Sequence, residues 1–306
     1  MIVNFGSLNA DLIYRVRAIP EAGQTISSQH FSLQAGGKGA NQAVAAALDG
    51  AVVFMAGAVG RDPLAEVALQ NLKAFGIDMA GIARVDERTG NAAIMVDAQG
   101  DNRIILSAGA NALADQALIS DEILKRASGV AMQLETPILQ VEALLERCRH
   151  LGARSIVNLA PAGEIGRDAL LAADILVVNE DEAESLAAML GVDPTARGLS
   201  GALGSVVIRT LGGEGAEFCD DGETHFVPAR PISPVDTTAA GDCFIGVFAA
   251  ALDRGMPLKA AVERASLAAS ICCTRAGSQT SLPKAAETDL IQGLSISHQN
   301  VWKEHG

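Results

Sequence analysis

Pro234-Val-Asp-Thr-Thr-Ala-Ala-Gly-Asp-Cys-Phe244 is the stretch whose reading decides the rest of the chain. An extended segment closes at Pro234, and an apolar run of small residues continues from 243 to 252 before Gly255. Loop, tight turn and helix is the expected order, with Gly255 just past the helix end. Ala239, Ala240 and Gly241 carry no bulk that would shield their backbone, so their N–H groups are free to converge on an anion. The start of a helix offers unpaired N–H groups and a partial positive charge, which suits a phosphate. Asp242 then stands out, because a carboxylate beside an anion site repels the anion. Its placement makes chemical sense if it takes the proton of a neutral hydroxyl that attacks that phosphate. Asp242 would then be a general base, and the N–H cradle would stabilise charge on the transferred group. A plain helix cap is the other reading of an Asp near a helix start, and this stretch alone leaves both open.

The chain has 306 residues, enough for one large α/β domain or two small ones. It is 49% hydrophobic but only 3% aromatic, which suits parallel strands beneath small-faced helices better than a β-sandwich. A net charge of −13 argues against general binding to nucleic acid or anionic membranes. A nucleotide that arrives with Mg²⁺ remains compatible, because it meets local dipoles rather than the average charge. No apolar run reaches about 18 residues and no basic segment leads into an apolar one at the N-terminus, so neither a membrane span nor a secretion signal is expected. The five cysteines, Cys148, Cys219, Cys243, Cys272 and Cys273, are odd in number and contain no C-x-x-C. Most lie in apolar runs, so reduced, buried thiols in a cytoplasmic protein are expected. Cys243 sits at a helix start, where a thiolate is favoured, but no His lies nearby in sequence and it reads as a packed side chain.

Residues 2–5 open the chain as an apolar strand, followed by Gly6-Ser-Leu-Asn-Ala-Asp11. A dinucleotide fingerprint is absent. Asn9 and Asp11 stand two apart, so in an extended segment they face one side. There they either grip the hydroxyls of a small polyol or form an Asx turn. Residues 13–33 read as short strands broken at Pro20 and Gly23, and 88–106 read similarly, with a hairpin turn at Asp97-Ala-Gln-Gly100. These segments are expected to form a separate small sheet, a lid over about 12–34 and 88–107 that excludes water from a transfer reaction. Its open edges and apolar face make lid-to-lid pairing in a homodimer an expectation.

Ala35-Gly-Gly-Lys-Gly-Ala-Asn-Gln42 leads into a helix over 43–48. It is no Walker A loop, because Gly39 rather than Ser or Thr follows Lys38. Its glycines admit a ligand close to the backbone, and Lys38 and Asn41 supply donors. A strand over 52–56 is followed by Gly57-Ala-Val-Gly60 and a helix through Leu72. A strand over 130–134 ends in Glu135, at the edge where parallel sheets place ligands; a helix-start charge is the alternative. After a helix to about His150 come strands over 155–159 and 175–179. Asn179 and Glu182 then lie at a strand end and first helical turn. They either serve the helix dipole or orient water around Mg²⁺. Strand 205–210 runs into Leu-Gly-Gly-Glu-Gly215, where Thr210, Gly212, Gly213 and Gly215 are able to cradle a nucleotide. A hairpin across Asp221-Gly222 and a long helix over 258–274 follow. The tail from Ser297, with Trp302, is assigned no function. Without repeats or low-complexity linkers, one domain over 1–306 plus a lid is the economical organisation.

Two motifs, Gly36-Gly-Lys-Gly-Ala-Asn41 and Asp236-Thr-Thr-Ala-Ala-Gly-Asp242, stand about 200 residues apart and are together highly specific. With Gly109-Ala-Asn111, Met132-Gln-Leu-Glu135 and Asn179-Glu-Asp-Glu182, they make the chain resemble the ribokinase-like (PfkB) family of sugar and nucleoside kinases from residue 2 to about 283. The resemblance implies a doubly wound, mostly parallel α/β sheet flanked by helices, with a small β lid. It implies ATP-dependent phosphorylation of a primary sugar hydroxyl, D-ribose giving ribose 5-phosphate. Asp242 would be the base and the backbone of Ala239, Ala240, Gly241 and Asp242 the anion hole. Asn9, Asp11, Gly37, Lys38, Asn41 and Glu135 match sugar-holding positions. Asn179 and Glu182 match the metal–phosphate motif, and Thr210 to Gly215 the nucleotide loop. A monovalent cation, usually K⁺, would be held largely by carbonyl oxygens at Asp236, Thr238, Cys272, Arg275, Gly277 and Ser281. The sequence departs from the family pattern at Ala239, where many relatives have Gly, at Cys243 in place of Thr, and at Ser266, where an adenine-flanking His is common.

Three rival classes are distinguishable. Another kinase of the family, acting on fructose, a deoxysugar or a nucleoside, is disfavoured by Lys38, Asn41, Asn9 and Asp11, which suit a compact polyol. A non-catalytic sugar-binding regulator would have lost Asp242 or the small residues before it. A dehydrogenase would carry the missing fingerprint.

Overall fold

The computed structural model describes residues 1–301, with side-chain environments through residue 293, so Trp302 lies outside the described residues. The chain begins with β1 (Ile2–Phe5), β2 (Asn9–Arg15) and β3 (His30–Gly36). Then come α1 (Lys38–Leu48), β4 (Val53–Val59), α2 (Pro63–Ala74) and β5 (Asp78–Arg84). A hairpin of β6 (Gly90–Val96) and β7 (Asn102–Ser107) precedes α3 (Asp121–Arg126), β8 (Gly129–Gln133) and α4 (Ile138–Leu151). Next are β9 (Ser155–Asn158), α5 (Arg167–Leu170), β10 (Ile175–Val178), α6 (Glu180–Leu190), α7 (Ala196–Leu203) and β11 (Val206–Thr210). The hairpin β12 (Gly215–Asp220) and β13 (Glu223–Pro228) leads to α8 (Ala240–Asp253), α9 (Leu258–Cys272) and α10 (Ala285–Val301).

Nine strands make one sheet in the order β13-β12-β11-β10-β9-β8-β1-β4-β5. All neighbours are parallel except β11–β12 and β12–β13. Along each parallel strand successive residues enter opposite cores, as the two-residue strand period demands. Ile2, Val53, Met55 and Ile208 join the helices α1, α8 and α9. Val3, Phe5, Phe54 and Val207 join α4, α6 and α7. The expected doubly wound architecture is therefore present, and strand order reverses at β1, which β4 and β8 flank. In such sheets the crevice beyond the strand ends at the reversal is where ligands bind.

The small sheet is β3-β2-β6-β7, with β2 and β6 parallel and the outer pairs antiparallel. It begins at Asn9 and ends β3 at Gly36, so it reaches further into the site than residues 12–34. Its hairpin turn at Asp97 is closed by Asp97 N–H to the Asp101 carbonyl at 3.0 Å, while the Asp97 carboxylate accepts from the N–H groups of Gln99 and Asp101. At the β12–β13 turn, Asp221 and Gly222 both take positive φ, 46° and 78°, as a two-residue hairpin requires.

Three element boundaries differ from the sequence reading. α1 starts at Lys38 rather than 43, so Lys38, Asn41 and Gln42 are helical. β4 runs through Gly57 to Val59 instead of stopping at 56. α8 starts at Ala240, which puts Asp242 inside its first turn. Several glycines that read as loop in sequence, Gly37, Gly39 and Gly57 among them, stand where another backbone comes close. Gly246 is the sharpest case: a Cβ there would lie 2.3 Å from the Gln42 carbonyl oxygen and 2.6 Å from Ala45 Cβ. α1 and α8 therefore cross at backbone contact. None of the described helices is long and apolar enough to cross a membrane.

Gly246→Ala is expected to lower stability by about 1–3 kcal/mol through overpacking, read as an earlier urea midpoint. An unchanged midpoint would refute the close-crossing account.

Candidate active site

Asp242 is 6% exposed, third residue of α8. Two consecutive side chains of α1 meet it: Asn41 Nδ2 donates to one carboxylate oxygen at 2.8 Å and Gln42 Nε2 to the other at 3.1 Å. No side chain caps α8, so the capping alternative for Asp242 is excluded. The N-cap is instead Ala239, held at φ 60°, ψ 12°. A non-glycine residue in the left-handed region stores strain, and here it turns the chain sharply into α8. The Ala240 N–H is already engaged by the Thr237 carbonyl at 3.2 Å. Among the described residues the N–H groups of Gly241 and Asp242 meet no such backbone acceptor, leaving them as the open donors at this helix start.

Burial pushes the Asp242 carboxyl up, as does Glu135, while Lys38, Asn41 and Gln42 pull it down; the net shift is upward. Lys38 is raised as well, because Asp242, Glu135 and Glu182 together outweigh its own desolvation. Asp11 rises to about 7, through burial first and then Glu135 and Asp242. Asp11, Lys38, Glu135, Glu182 and Asp242 thus share one electrostatic field, although they come from five separate elements.

Glu135 is fixed by Ser7 Oγ at 2.5 Å and by the Lys38 N–H at 3.3 Å, so it serves the start of α1 as well as facing the site. Gly39 lets α1 start there: a Cβ would come within 2.5 Å of the Gly6 backbone. Asn9 Oδ1 accepts from Asn111 Nδ2 at 2.7 Å. Asn111 Oδ1 also accepts the Leu8 N–H at 2.9 Å, tying the turn after β7 to the loop between β1 and β2. Gly37 is the N-cap of α1 at φ 91°.

Two cavities meet at the start of α8. One, of about 230 Å³, is lined by Lys38, Asn179, Glu182, Thr210, Ala239 and Asp242 among others. The second, of about 380 Å³, is mostly apolar and runs beside it. Gly212, Gly213, Gly215 and Ser266 line this second cavity, with Ile232 and Phe244. Thr210, Ala240 and Gly241 border both. An apolar cleft opening into a dipole-lined polar one has the shape of a base-and-phosphate site.

Asn179 and Glu182 form a reciprocal capping box at the start of α6: Glu182 N–H to Asn179 Oδ1 at 2.8 Å, and Asn179 N–H to Glu182 Oε2 at 2.9 Å. The helix-start reading therefore holds for this pair. Burial still raises Glu182 despite that bond and Lys38. Among the described residues no three His, Cys, Asp or Glu side chains converge as a metal cage. Asn179 and Glu182 line the polar cavity, and so sparse a donor set is compatible with an ion such as Mg²⁺ that keeps most of its waters and takes few protein ligands.

The segments 235–238 and 272–281 are laced together by Asp236, whose two carboxylate oxygens accept the N–H groups of Thr238 and Gly277, each at 2.9 Å. Burial would raise Asp236, but bonds from Thr238 and Gly277 hold it below the usual carboxylate range. Cys272 Sγ lies 3.0 Å from Ser281 Oγ, and the Arg275 N–H donates to the Cys272 carbonyl at 3.1 Å. All six candidate cation residues thus fall in one turn cluster beside α8. All five cysteines are free, and four of them are buried.

Gln42, Asn158, Gln133 and Gln279 were not singled out from the sequence. Gln42 follows directly on the Gly36–Asn41 motif, and a buried amide inside an alanine-rich helix was the available signal.

A family profile described as pfkB family carbohydrate kinase matches residues 1–285. The chain is 37% identical over 306 residues to the ribokinase of Schizosaccharomyces pombe, covering 94% of this chain and 96% of that protein. The crystal structure of ribokinase from Thermotoga maritima superposes with a TM-score of 0.88 at 32% identity, covering 95% of this chain and 99% of that one. Arabidopsis thaliana ribokinase, complexed with ribose and ATP, gives a TM-score of 0.82 at 29% identity, covering 94% and 96%. The chain belongs to the pfkB family of carbohydrate kinases and is an ATP-dependent sugar kinase.

Proposed function

We propose that this kinase transfers the γ-phosphoryl group of ATP to the primary hydroxyl of D-ribose, giving ribose 5-phosphate. The observation that carries the reading is Asp242: a buried carboxylate with raised proton affinity, two donors behind it and open helix N–H groups beside it. Its carboxylate takes the hydroxyl proton as the oxygen attacks. The Gly241 and Asp242 N–H groups receive the phosphoryl oxygens, with Lys38 adding positive charge. Asn9, Asp11, Gly37, Lys38, Asn41 and Glu135 hold the sugar. Thr210, Gly212, Gly213, Gly215 and Ser266 hold the nucleotide along the apolar cleft. Asn179 and Glu182 would hold Mg²⁺, which would supply positive charge to the phosphates. Asp236, Thr238, Cys272, Arg275, Gly277 and Ser281 would hold K⁺, largely through carbonyls, and a cation there would steady the strained Ala239 turn. Ribose is favoured because relatives over nearly the whole length carry the name ribokinase, one of them complexed with ribose and ATP. The compact polar field around Asp11 and Lys38 supports a polyol over a base-bearing nucleoside.

Residues 1–306 are read as a single kinase domain in which 12–34 and 88–107 act as the lid. Phe31, Ile104, Ile105 and Leu106 are exposed on this small sheet, which supports pairing of two lids in a homodimer. An Ile104→Asp, Leu106→Asp double variant is expected to sediment as a monomer and the parent as a dimer; a monomeric parent removes the idea.

ADP release is expected to be faster with D-ribose than with fructose, deoxyribose or nucleosides, to need Mg²⁺, and to rise when K⁺ replaces Li⁺. Asp242→Asn is expected to keep ribose binding by calorimetry and to lose about 10²–10⁴-fold in kcat. Equal turnover across the panel refutes ribose; near-parental kcat in Asp242→Asn refutes the base.

Asp11 gives a pH test. Its folded value is raised, so its contribution to stability is full below the ordinary aspartate value of 3.8 and is lost as pH rises through about 7. Asp11→Asn should therefore match the parent near the acidic limit and gain on it through that window, by up to about 1.4 kcal/mol per pH unit. Melting curves of both proteins across the window check this; a constant gap would show that Asp11 is not desolvated as described.

A further inference from the structure

Two chains of side-chain amides run head to tail into the carboxylate of Asp242. In the longer, Asn71 Nδ2 of α2 donates to Gln279 Oε1 at 2.8 Å, and Gln279 Nε2 donates to Asn41 Oδ1 at 3.0 Å. Asn41 Nδ2 then donates to Asp242 Oδ2 at 2.8 Å. In the shorter, Gln133 Nε2 donates to Gln42 Oε1 at 2.5 Å and Gln42 Nε2 to Asp242 Oδ1 at 3.1 Å. Asn41, Gln42, Gln133 and Gln279 are all buried, and Asn71 is half-buried. A primary amide has a donor end and an acceptor end, so each link fixes which end the next presents.

We propose that Gln279, anchored by Asn71, is a positioning residue for the phosphoryl transfer: it locks the Asn41 amide with its NH₂ toward Asp242 and thereby sets the orientation of the base. The proposal rests on the reading of Asp242 as that base. Gln279 lies in the turn after α9, between Gly277 and Ser281, and touches Asp242 only through Asn41. Turned the other way, Asn41 would set its carbonyl oxygen against a carboxylate in a buried site, where an unmatched polar contact is costly. The other groups that bear on Asp242 are Lys38 from α1, Glu135 after β8, Asp11 from β2 and Cys272 of α9. Of these Lys38 favours the ionised form and Glu135 opposes it, so the amide donors supplement a single cation.

Isosteric substitutions separate polarity from packing. A carboxylate accepts at both ends, so Gln279→Glu draws the Asn41 NH₂ to itself and turns the Asn41 oxygen onto Asp242. Asn71→Asp does the same from one link further away, at a half-buried position where the fold tolerates change. Gln279→Met removes the link without reversing it. Turnover of ribose is expected to fall by about tenfold to a hundredfold in Gln279→Glu, and less in Gln279→Met. Independently of turnover, carboxyl ¹³C NMR of aspartate-labelled protein follows the Asp242 titration, with Asp242→Asn assigning the signal. Its midpoint is expected to move to higher pH in Gln279→Glu and Asn71→Asp. A parental midpoint in both isosteric variants, or a loss of turnover that only tracks melting temperature across the Glu and Met variants, overturns the proposal. The NMR readout needs no catalysis, so an inactive parent would defeat the ribose reading and leave this test standing.

Discussion

A carboxylate taken out of water must be given donors or surrender its charge. Asp242 is in that position, and much of the architecture follows from where its donors come from. Asn41 and Gln42 are neighbours on α1, and each reaches a different oxygen of one carboxylate on α8. Both side chains are short for the task unless the two helices nearly touch. Gly246 permits that contact, and Ala40, Ala43, Ala45 and Ala46 of α1 with Ala249 and Ala250 of α8 fill the rest of the seam. The low aromatic content of the chain is thus tied to the site: bulky rings in this seam would part Asp242 from its donors.

The same crowding explains how an acidic site handles an anion. Glu135, Glu182 and Asp242 all reinforce the charge of Lys38, and Glu135 and Asp242 also bear on Asp11. Their combined field opposes a phosphate, so the positive end must come from elsewhere. It comes from backbone dipoles at the start of α8, where Ala239 is bent into the left-handed region to expose the Gly241 and Asp242 N–H groups. Strain in one residue therefore serves the electrostatics of the neighbouring cavity.

Strands, hairpins and the doubly wound pattern were legible because they rest on local signals: apolar runs and turn residues such as Asp221-Gly222. The start of α1 was misread because Gly36, Gly37 and Gly39 look like loop, while Gly37 and Gly39 let the helix begin against the backbone of Gly6 and Ser7 and Gly36 makes room for the Asp11 carboxylate. Asp242 was visible as a carboxylate next to small residues, but the cap reading falls only once its carboxylate is seen bonded by Asn41 and Gln42 at an α8 start that no side chain caps. Gln279 carried no such signal, and Gln42 only its place just after the Gly36–Asn41 motif. An amide's role is set by which end faces which neighbour, and those neighbours are far apart in sequence.

The far ends of the same helices show how the contact is kept. Asp49 follows α1 directly, and Arg264 of α9 bonds both of its carboxylate oxygens, at 2.6 and 3.0 Å. Arg254, just past α8, adds a bond at 2.6 Å, and Arg264 reaches on to Asp289 of α10 at 2.5 Å. A buried ionic cluster adds little net stability over an apolar one, but it penalises any register in which a charge loses its partner. Here the penalised movement is a slide of α8 along α1. Arginines also suit helix C-termini, whose carbonyls carry the negative end of the dipole. The helices are thus neutralised at one end and left open at the other, and the open end is where a phosphate would meet Asp242.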